Sequence, residues 1–228
     1  MAKIKKIDAR QILDSQGHPT VEAHMELDSG VEVTATASSG QSLGRYECVE
    51  LRDGGEAFGG LGVLKAVSYI SSLIGPKLIG ADPAAQQDID AWLTKSDPSE
   101  HVSTLGVNTI MTISQLAAKA AAVSQGKSMY TYLNELYTIT TADKLVVEKM
   151  PGLVITLING GKHGTKNLEF QEFQIVPSTS YSYSQALEFA VESYHNLRKV
   201  LEYRNAGVSV SDEGGFVPKL LTNIDALE

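Results

Sequence analysis

The sequence predicts an α+β amino-terminal domain, a three-stranded antiparallel meander followed by helices, and after it the opening of an incomplete α/β barrel. Three features carry this reading. The first forty residues alternate apolar and polar with period two. Apolar residues then recur at helical spacing from Val63 onward. Beyond Met150-Pro151-Gly152 the pattern switches to short, nearly continuous apolar runs.

In the meander, Val21, Ala23, Met25 and Leu27 alternate with Thr20, Glu22, His24 and Glu26, giving one apolar and one polar face. Asp28-Ser29-Gly30 separates this run from Val31, Val33, Ala35 and Ala37, which repeat the period, so a tight hairpin is predicted. Ser38 to Gly44 is small, polar and aperiodic and reads as an exposed, mobile loop; Gly54-Gly55 and Gly59-Gly60 add breaks.

Val63, Ala66, Val67, Ile70 and Ile74 predict a helix ending at the Gly75-Pro76 break. Pro83 suits the first turn of a helix containing Ile89, Trp92 and Leu93. The alanine-rich stretch Asn108–Val123, with Ile110, Ile113, Leu116 and Ala117 on one side, suits close helix packing. The segment from Thr138 to Pro151 lacks periodicity. The expected organisation is therefore residues 1–138 as the α+β domain, 139–152 as a connector and 153–228 as the start of a barrel domain.

Leu153 to Ile158 is apolar as a strand buried on both faces should be, and Phe173 to Val176 reads as a second such strand. Ser182-x-x-Gln185 is a capping box opening a helix whose buried stripe is Leu187, Ala190, Val191, Tyr194, Leu197 and Leu201. A TIM-like (β/α)₈ barrel needs roughly 200 residues. Two strands and a helix cannot close one, so the barrel is expected to be incomplete and its apolar strands exposed.

Composition narrows the function classes. Of 228 residues, 43% are hydrophobic and 20% charged, which indicates a folded globular chain. With 19 Lys and Arg against 27 acids, a net charge of −8 argues against nucleic acid as a partner. The single cysteine, Cys48, excludes an internal disulfide. No apolar signal core follows the basic start and no run reaches membrane-spanning length, so a cytoplasmic protein without membrane contact is expected.

Two loops and one strand end could carry chemistry. Asn159-Gly160-Gly161-Lys162-His163-Gly164-Thr165 follows the first apolar strand, where barrels gather active-site groups. Its glycines permit close backbone approach to a ligand, and Lys162 and His163 could meet an anion; by itself the signal is weak, and the loop reads more readily as a glycine turn with an exposed histidine. Glu172, at the start of the second strand, is either functional or at a solvated edge. Ser211-Asp212-Glu213-Gly214-Gly215-Phe216-Val217-Pro218 makes a poor helix and a poor strand; its glycines would free the backbone to aim a carboxylate, although a surface turn with solvated acids fits as well. Two acids in different environments can divide acid and base work. His24, His101 and His195 read as structural, and Arg45 and Arg52 as packing or loop-anchoring groups.

Together these segments resemble enolase. Asp14-Ser15-Gln16-Gly17-His18-Pro19-Thr20-Val21-Glu22 resembles the family's D-S-R-G-N-P-T-V-E opening, and Ser39-Gly40-Gln41-Ser42-Leu43-Gly44 its S-G-A-S-T-G loop. Glu50-Leu51-Arg52-Asp53-Gly54 matches E-L-R-D-G, and Gly106-Val107-Asn108-Thr109-Ile110 resembles G-A-N-A-I. Asn159 to His163 resembles N-G-G-x-H, Gln171-Glu172-Phe173 matches Q-E-F, and Asp212 to Pro218 matches D-E-G-G-x-x-P. Seven matches run in the family's order across the whole chain.

The resemblance implies magnesium-dependent dehydration of 2-phosphoglycerate to phosphoenolpyruvate. It implies Glu213 as the acid assisting departure of the C3 hydroxyl, with Glu172 beside it. His163 is implied as the loop histidine that closes over substrate, Gln171 as a substrate-binding residue, and Ser42 as the mobile-loop ligand of the second Mg2+. The family's lysine base, its three magnesium carboxylates and its phosphate ligands belong to the later barrel, so the chain alone is expected to be catalytically incomplete. The implied partners are a homodimer or a complementary carboxyl-terminal enolase fragment; the alternative is a non-catalytic interaction module. Departures from the pattern are Gln16 for arginine, His18 for asparagine, Gln41 and Leu43 in the mobile loop, Gly164-Thr165-Lys166 for an alanine-containing continuation, and Ser211 for glycine.

Overall fold

The computed structural model describes residues 2–40, 44–141, 147 and 149–228. The chain divides into two compact units, Met1–Val147 and Glu148–Glu228.

In the first unit, β1 (Ile4–Leu13), β2 (Pro19–Leu27) and β3 (Glu32–Ala37) form an antiparallel meander in that order. Alternation fixes the register: Ala9, Ala23 and Ala35 lie abreast, so a slip of one residue would turn the apolar face to water. Val21, Ala23, Met25 and Leu27 are fully buried. The opposite face stays polar, and His24 sits 3.4 Å from Asp8 on one side and 3.4 Å from Glu32 on the other. The β1–β2 turn is shaped by Asp14, whose Oδ1 accepts from the Gln16 and His18 amides, and by Gly17 at φ +79°.

The helices cover the apolar face. α1 (Leu64–Tyr69) does not stop before Gly75-Pro76: a π turn over Ile70–Ile74 carries it into α2 (Gly75–Leu78). The wider turn lets the chain pass Pro76, which has no N–H to give a normal ladder. Gly75 suits a crowded position, since a Cβ there would lie 3.0 Å from the Ile70 carbonyl and 3.1 Å from that of Ile7 on β1. α3 spans Gln86–Ser96, three residues later than Pro83 suggested. Asp82-Pro83-Ala84-Ala85 instead forms a turn, with the Ala85 amide donating to the Asp82 carbonyl at 3.1 Å, and Ala85 itself is non-helical.

α4 (Val107–Ser124) is the central helix. Ile113, Leu116, Ala117 and Ala120 pack into the main core with the sheet, while Ala118, Ala121 and Ala122 meet Tyr132 of α5 (Met129–Thr141). The small side chains allow helices to approach on two sides at once. α5 extends through Thr141 into the stretch read as aperiodic; Met129, Tyr132, Leu133, Leu136 and Ile139 do follow helical spacing, but Leu133 and Ile139 are exposed.

Between β3 and α1 the backbone is irregular but held. Asn108 pairs with Leu51 like a strand neighbour, its Oδ1 accepting from the Leu51 amide and its Nδ2 donating to the Leu51 carbonyl. Arg52 donates through its two terminal nitrogens to the carbonyls of Pro19 and Leu61, to Ser39 Oγ and to the Glu50 carboxylate, so it anchors the loop. Gln41, Ser42 and Leu43 lie outside the described residues.

In the second unit, β4 (Ile155–Asn159) and β5 (Glu172–Ile175) pair antiparallel, with Asn159 opposite Glu172. The parallel neighbour of β4 is Phe216, bridged to Ile158. β4 and β5 do not have two buried faces in this unit: Val154 and Val176 beside them are exposed and Ile155 and Leu157 only half-buried. α6 (Tyr183–Tyr203) has the expected capping box, Ser182 accepting from the Gln185 amide and Gln185 from that of Ser182. Its buried residues are Ala186, Ala190 and Leu201; Leu187 and Val191 are exposed, because the stripe is wider than the two small clusters it meets around Ile158 and Phe216. α7 covers Asn223–Leu227 and is capped by Thr222. No described helix is long and apolar enough to cross a membrane.

Asp97, at the end of α3, is 3% exposed and accepts from Ser99 Oγ and the amides of Ser99, Thr104 and Leu105. Burial pushes its carboxyl up, but these hydrogen bonds together outweigh burial and hold it below the ordinary value of 3.8. A depressed carboxyl contributes stability that is complete above the unfolded value and lost as pH falls through the folded one. Asp97→Asn will therefore lower the Tm at neutral pH, and its gap to wild type will close below about pH 4. A gap that does not vary with pH would contradict this origin.

Candidate active site

The second unit gathers its polar side chains at the carboxyl end of β4. Asn159, the last residue of an apolar strand, is 1% exposed. Its backbone amide donates to the Phe216 carbonyl at 2.9 Å, continuing the parallel ladder. Its side-chain Oδ1 accepts from the Gly215 amide at 3.0 Å and from Ser211 Oγ at 2.6 Å. A backbone N–H cannot face an amide nitrogen, so the Gly215 contact fixes which end of the side chain is oxygen. Asn159 Nδ2 is buried with no hydrogen-bond partner among the described residues.

These bonds hold the segment Ser211–Gly215 against β4. The Ser211 amide donates to the Gly215 carbonyl and the Gly214 amide to the Ser211 carbonyl, closing a turn with Gly214 at φ +88°. From the other side Tyr194 of α6 stacks on Phe216 at 4.4 Å and donates its hydroxyl to the Gly214 carbonyl at 3.1 Å. Gly215 has no room for a side chain, because a Cβ would stand 2.3 Å from Asn159 Oδ1.

The loop after β4 is equally constrained. The Gly160 amide donates to the Gln171 carbonyl and that of Gly161 to Leu168, folding Gly161–His163 into a 3₁₀ turn. A Cβ on Gly160 would meet the Phe170 carbonyl at 2.2 Å. This packing turns His163 inward, to 14% side-chain exposure, while Lys162 stays exposed.

Of the residues singled out from sequence, the structure brings His163 and Glu213 together, with Nδ1 and Oε1 3.7 Å apart. Glu172 is half-buried opposite Asn159, and its Oε2 accepts from Thr156 Oγ1 at 3.1 Å and Gln174 Nε2 at 2.6 Å. Gln171 is exposed beside it, and Ser42 lies outside the described residues. Asn159, Ser211 and Tyr194 were not assigned roles from sequence. The available signal was a polar residue ending an apolar strand immediately before two glycines.

The arrangement offers two carboxylates in different settings, one tied to a threonine and a glutamine and one facing an imidazole, around a buried amide. Among the described residues no group of three His, Cys, Asp or Glu could hold a metal ion. In the first unit a cleft of about 730 Å³ is lined by Ser39, Cys48, Glu50, Arg52 and Met111, but Arg52 is already committed and offers no free cation.

Residues 4–133 match the family model described as enolase, N-terminal domain, and residues 146–228 that described as enolase, C-terminal TIM barrel domain. Together the matches cover nearly the whole chain.

The loop geometry makes Gly215→Ala a sharper lesion than its size suggests. It should cost the second unit about 1–3 kcal/mol, the usual penalty for overpacking, read as a lower midpoint in denaturant unfolding. An unchanged midpoint would show that Asn159 does not hold the loop this closely.

Proposed function

The chain belongs to the enolase family, and on that premise we propose that it serves the magnesium-dependent dehydration of 2-phosphoglycerate to phosphoenolpyruvate, supplying the acid side of the active site. The observation that carries this reading is the pairing of Glu213 with His163 on a turn fixed by Asn159, with Glu172 across the strand pair.

In this reaction the C2 proton leaves to a base, the electron pair forms the C2–C3 double bond, and the C3 hydroxyl departs as water after taking a proton. Glu213 donates that proton to the C3 oxygen, and Glu172 stands beside it. His163 is held by its 3₁₀ turn where it can close over the substrate, and Gln171 contacts the substrate from the exposed rim. Ser42 is the proposed loop ligand of a magnesium ion. Enolases generally use Mg2+, which stabilises the enolate dianion when bound; the described residues do not form a cage for it by themselves. No lysine base and no phosphate ligands are assigned among the described residues in this reading. The same reading divides the chain into a domain of residues 1–138, a connector of 139–152 and a barrel segment of 153–228, and places it in the cytoplasm. Its partners are a complementary carboxyl-terminal enolase fragment or a second copy.

Phosphoenolpyruvate formation from 2-phosphoglycerate with Mg2+ tests this. The chain alone should be inactive, and adding a carboxyl-terminal enolase fragment should restore turnover. In the restored enzyme Glu213→Gln should lower kcat at least about 10²-fold. Turnover by the chain alone would refute the division of the site. No turnover with both pieces folded would favour a non-catalytic interaction module.

A further inference from the structure

The turn carrying Glu213 closes through its own backbone, yet that closure does not fix where the Glu213 residue faces. Its amide is held by a side chain: the Glu213 N–H donates to Ser211 Oγ at 3.1 Å. The same hydroxyl donates to Asn159 Oδ1 at 2.6 Å. A serine hydroxyl has one donor and two acceptor sites, so the donor is spent on Asn159 and one acceptor on Glu213. Asn159 cannot turn away, since it is buried and its oxygen also receives the Gly215 amide at 3.0 Å. A continuous chain thus runs from a rigid strand end, through one hydroxyl, to the backbone of the residue that faces His163.

We propose that Ser211 is a positioning residue for Glu213, its hydroxyl transferring the fixed orientation of the Asn159 amide to the acid-bearing turn. This rests on the reading of Glu213 as the acid. Removing the hydroxyl leaves the backbone closure of the turn, the Gly215–Asn159 bond and the Tyr194 contact in place, so the turn persists while Glu213 loses its direction. Glycine at this position, as in the motif the chain resembles, offers no such group.

The test is a double-mutant cycle read on the His163 ring resonances of the 15N-labelled full chain at one fixed pH. Glu213→Gln should displace those resonances in the wild-type background. In the Ser211→Ala and Ser211→Gly backgrounds most of that displacement should vanish, and Ser211→Thr should restore it. The Glu213 amide should exchange about five- to tenfold faster in Ser211→Ala, the loss of one hydrogen bond, while the Phe216 amide, bonded to Leu157, keeps its protection. An undiminished displacement in Ser211→Ala with Phe216 still protected would overturn the proposal. So would loss of Phe216 protection in all three Ser211 variants, which marks a merely structural role, or a Glu213→Gln change that leaves His163 unmoved in wild type. Full turnover of Glu213→Gln in the complemented enzyme, with the cycle behaving as expected, would instead remove the acid assignment and leave the positioning supported.

Discussion

The second unit depends on one buried amide. Asn159 closes an apolar strand at a point where water does not reach, and an amide placed there without partners costs several kcal/mol. Its oxygen is matched only if Ser211 and Gly215, more than fifty residues away in sequence, fold back onto it. That single requirement brings the acidic turn to the end of β4, sets Phe216 parallel to Ile158, and leaves Gly215 no room for a side chain. Its nitrogen has no partner among the described residues, an unmatched donor that costs about 1–3 kcal/mol. The residue is thus a poor choice for stability alone and a good one for orientation.

The first unit is organised by similar means with a larger apolar core beneath. The sheet and α4 supply burial, and polar groups then pin what burial leaves free: Asn108 holds the backbone at Leu51, Asp97 gathers the turn before α4, and Arg52 ties the start of β2 to two irregular segments. Each of these groups satisfies backbone atoms that no helix or strand would satisfy. The irregular stretch from residue 44 to 62 is ordered by these side chains together with non-repeating backbone bonds such as Asp53 to Gly62 and Gly54 to Gly60, so its low periodicity does not imply looseness.

The meander was readable because its alternation is strict and one face is fully buried, from Val21 to Leu27. Helix termini were less so. Pro83 looked like a first-turn proline, but the Asp82 carbonyl captured the Ala85 amide and set a turn instead. Gly75-Pro76 looked like a stop, but a π turn absorbed the missing donor. α5 was hidden because part of its apolar face is exposed and its sequence runs into polar threonines. The antiparallel pairing of β4 and β5 could not be told from their apolar runs, since continuous apolar sequence carries no direction. At the candidate site, Glu213, Glu172 and His163 were visible as chemistry. Their supports were not, because Asn159, Ser211 and Tyr194 acquire meaning only from contacts across 20 to 56 residues of chain.

The account is tested most directly by amide hydrogen exchange at Gly215 in the unmodified chain. Bonded to a buried Asn159 oxygen, this amide should exchange at least about tenfold more slowly than its unstructured rate, and Asn159→Ala should remove that protection. Exchange of Gly215 at the rate of a free loop amide, or protection that survives Asn159→Ala, would contradict the claim that one amide holds the acidic turn in place.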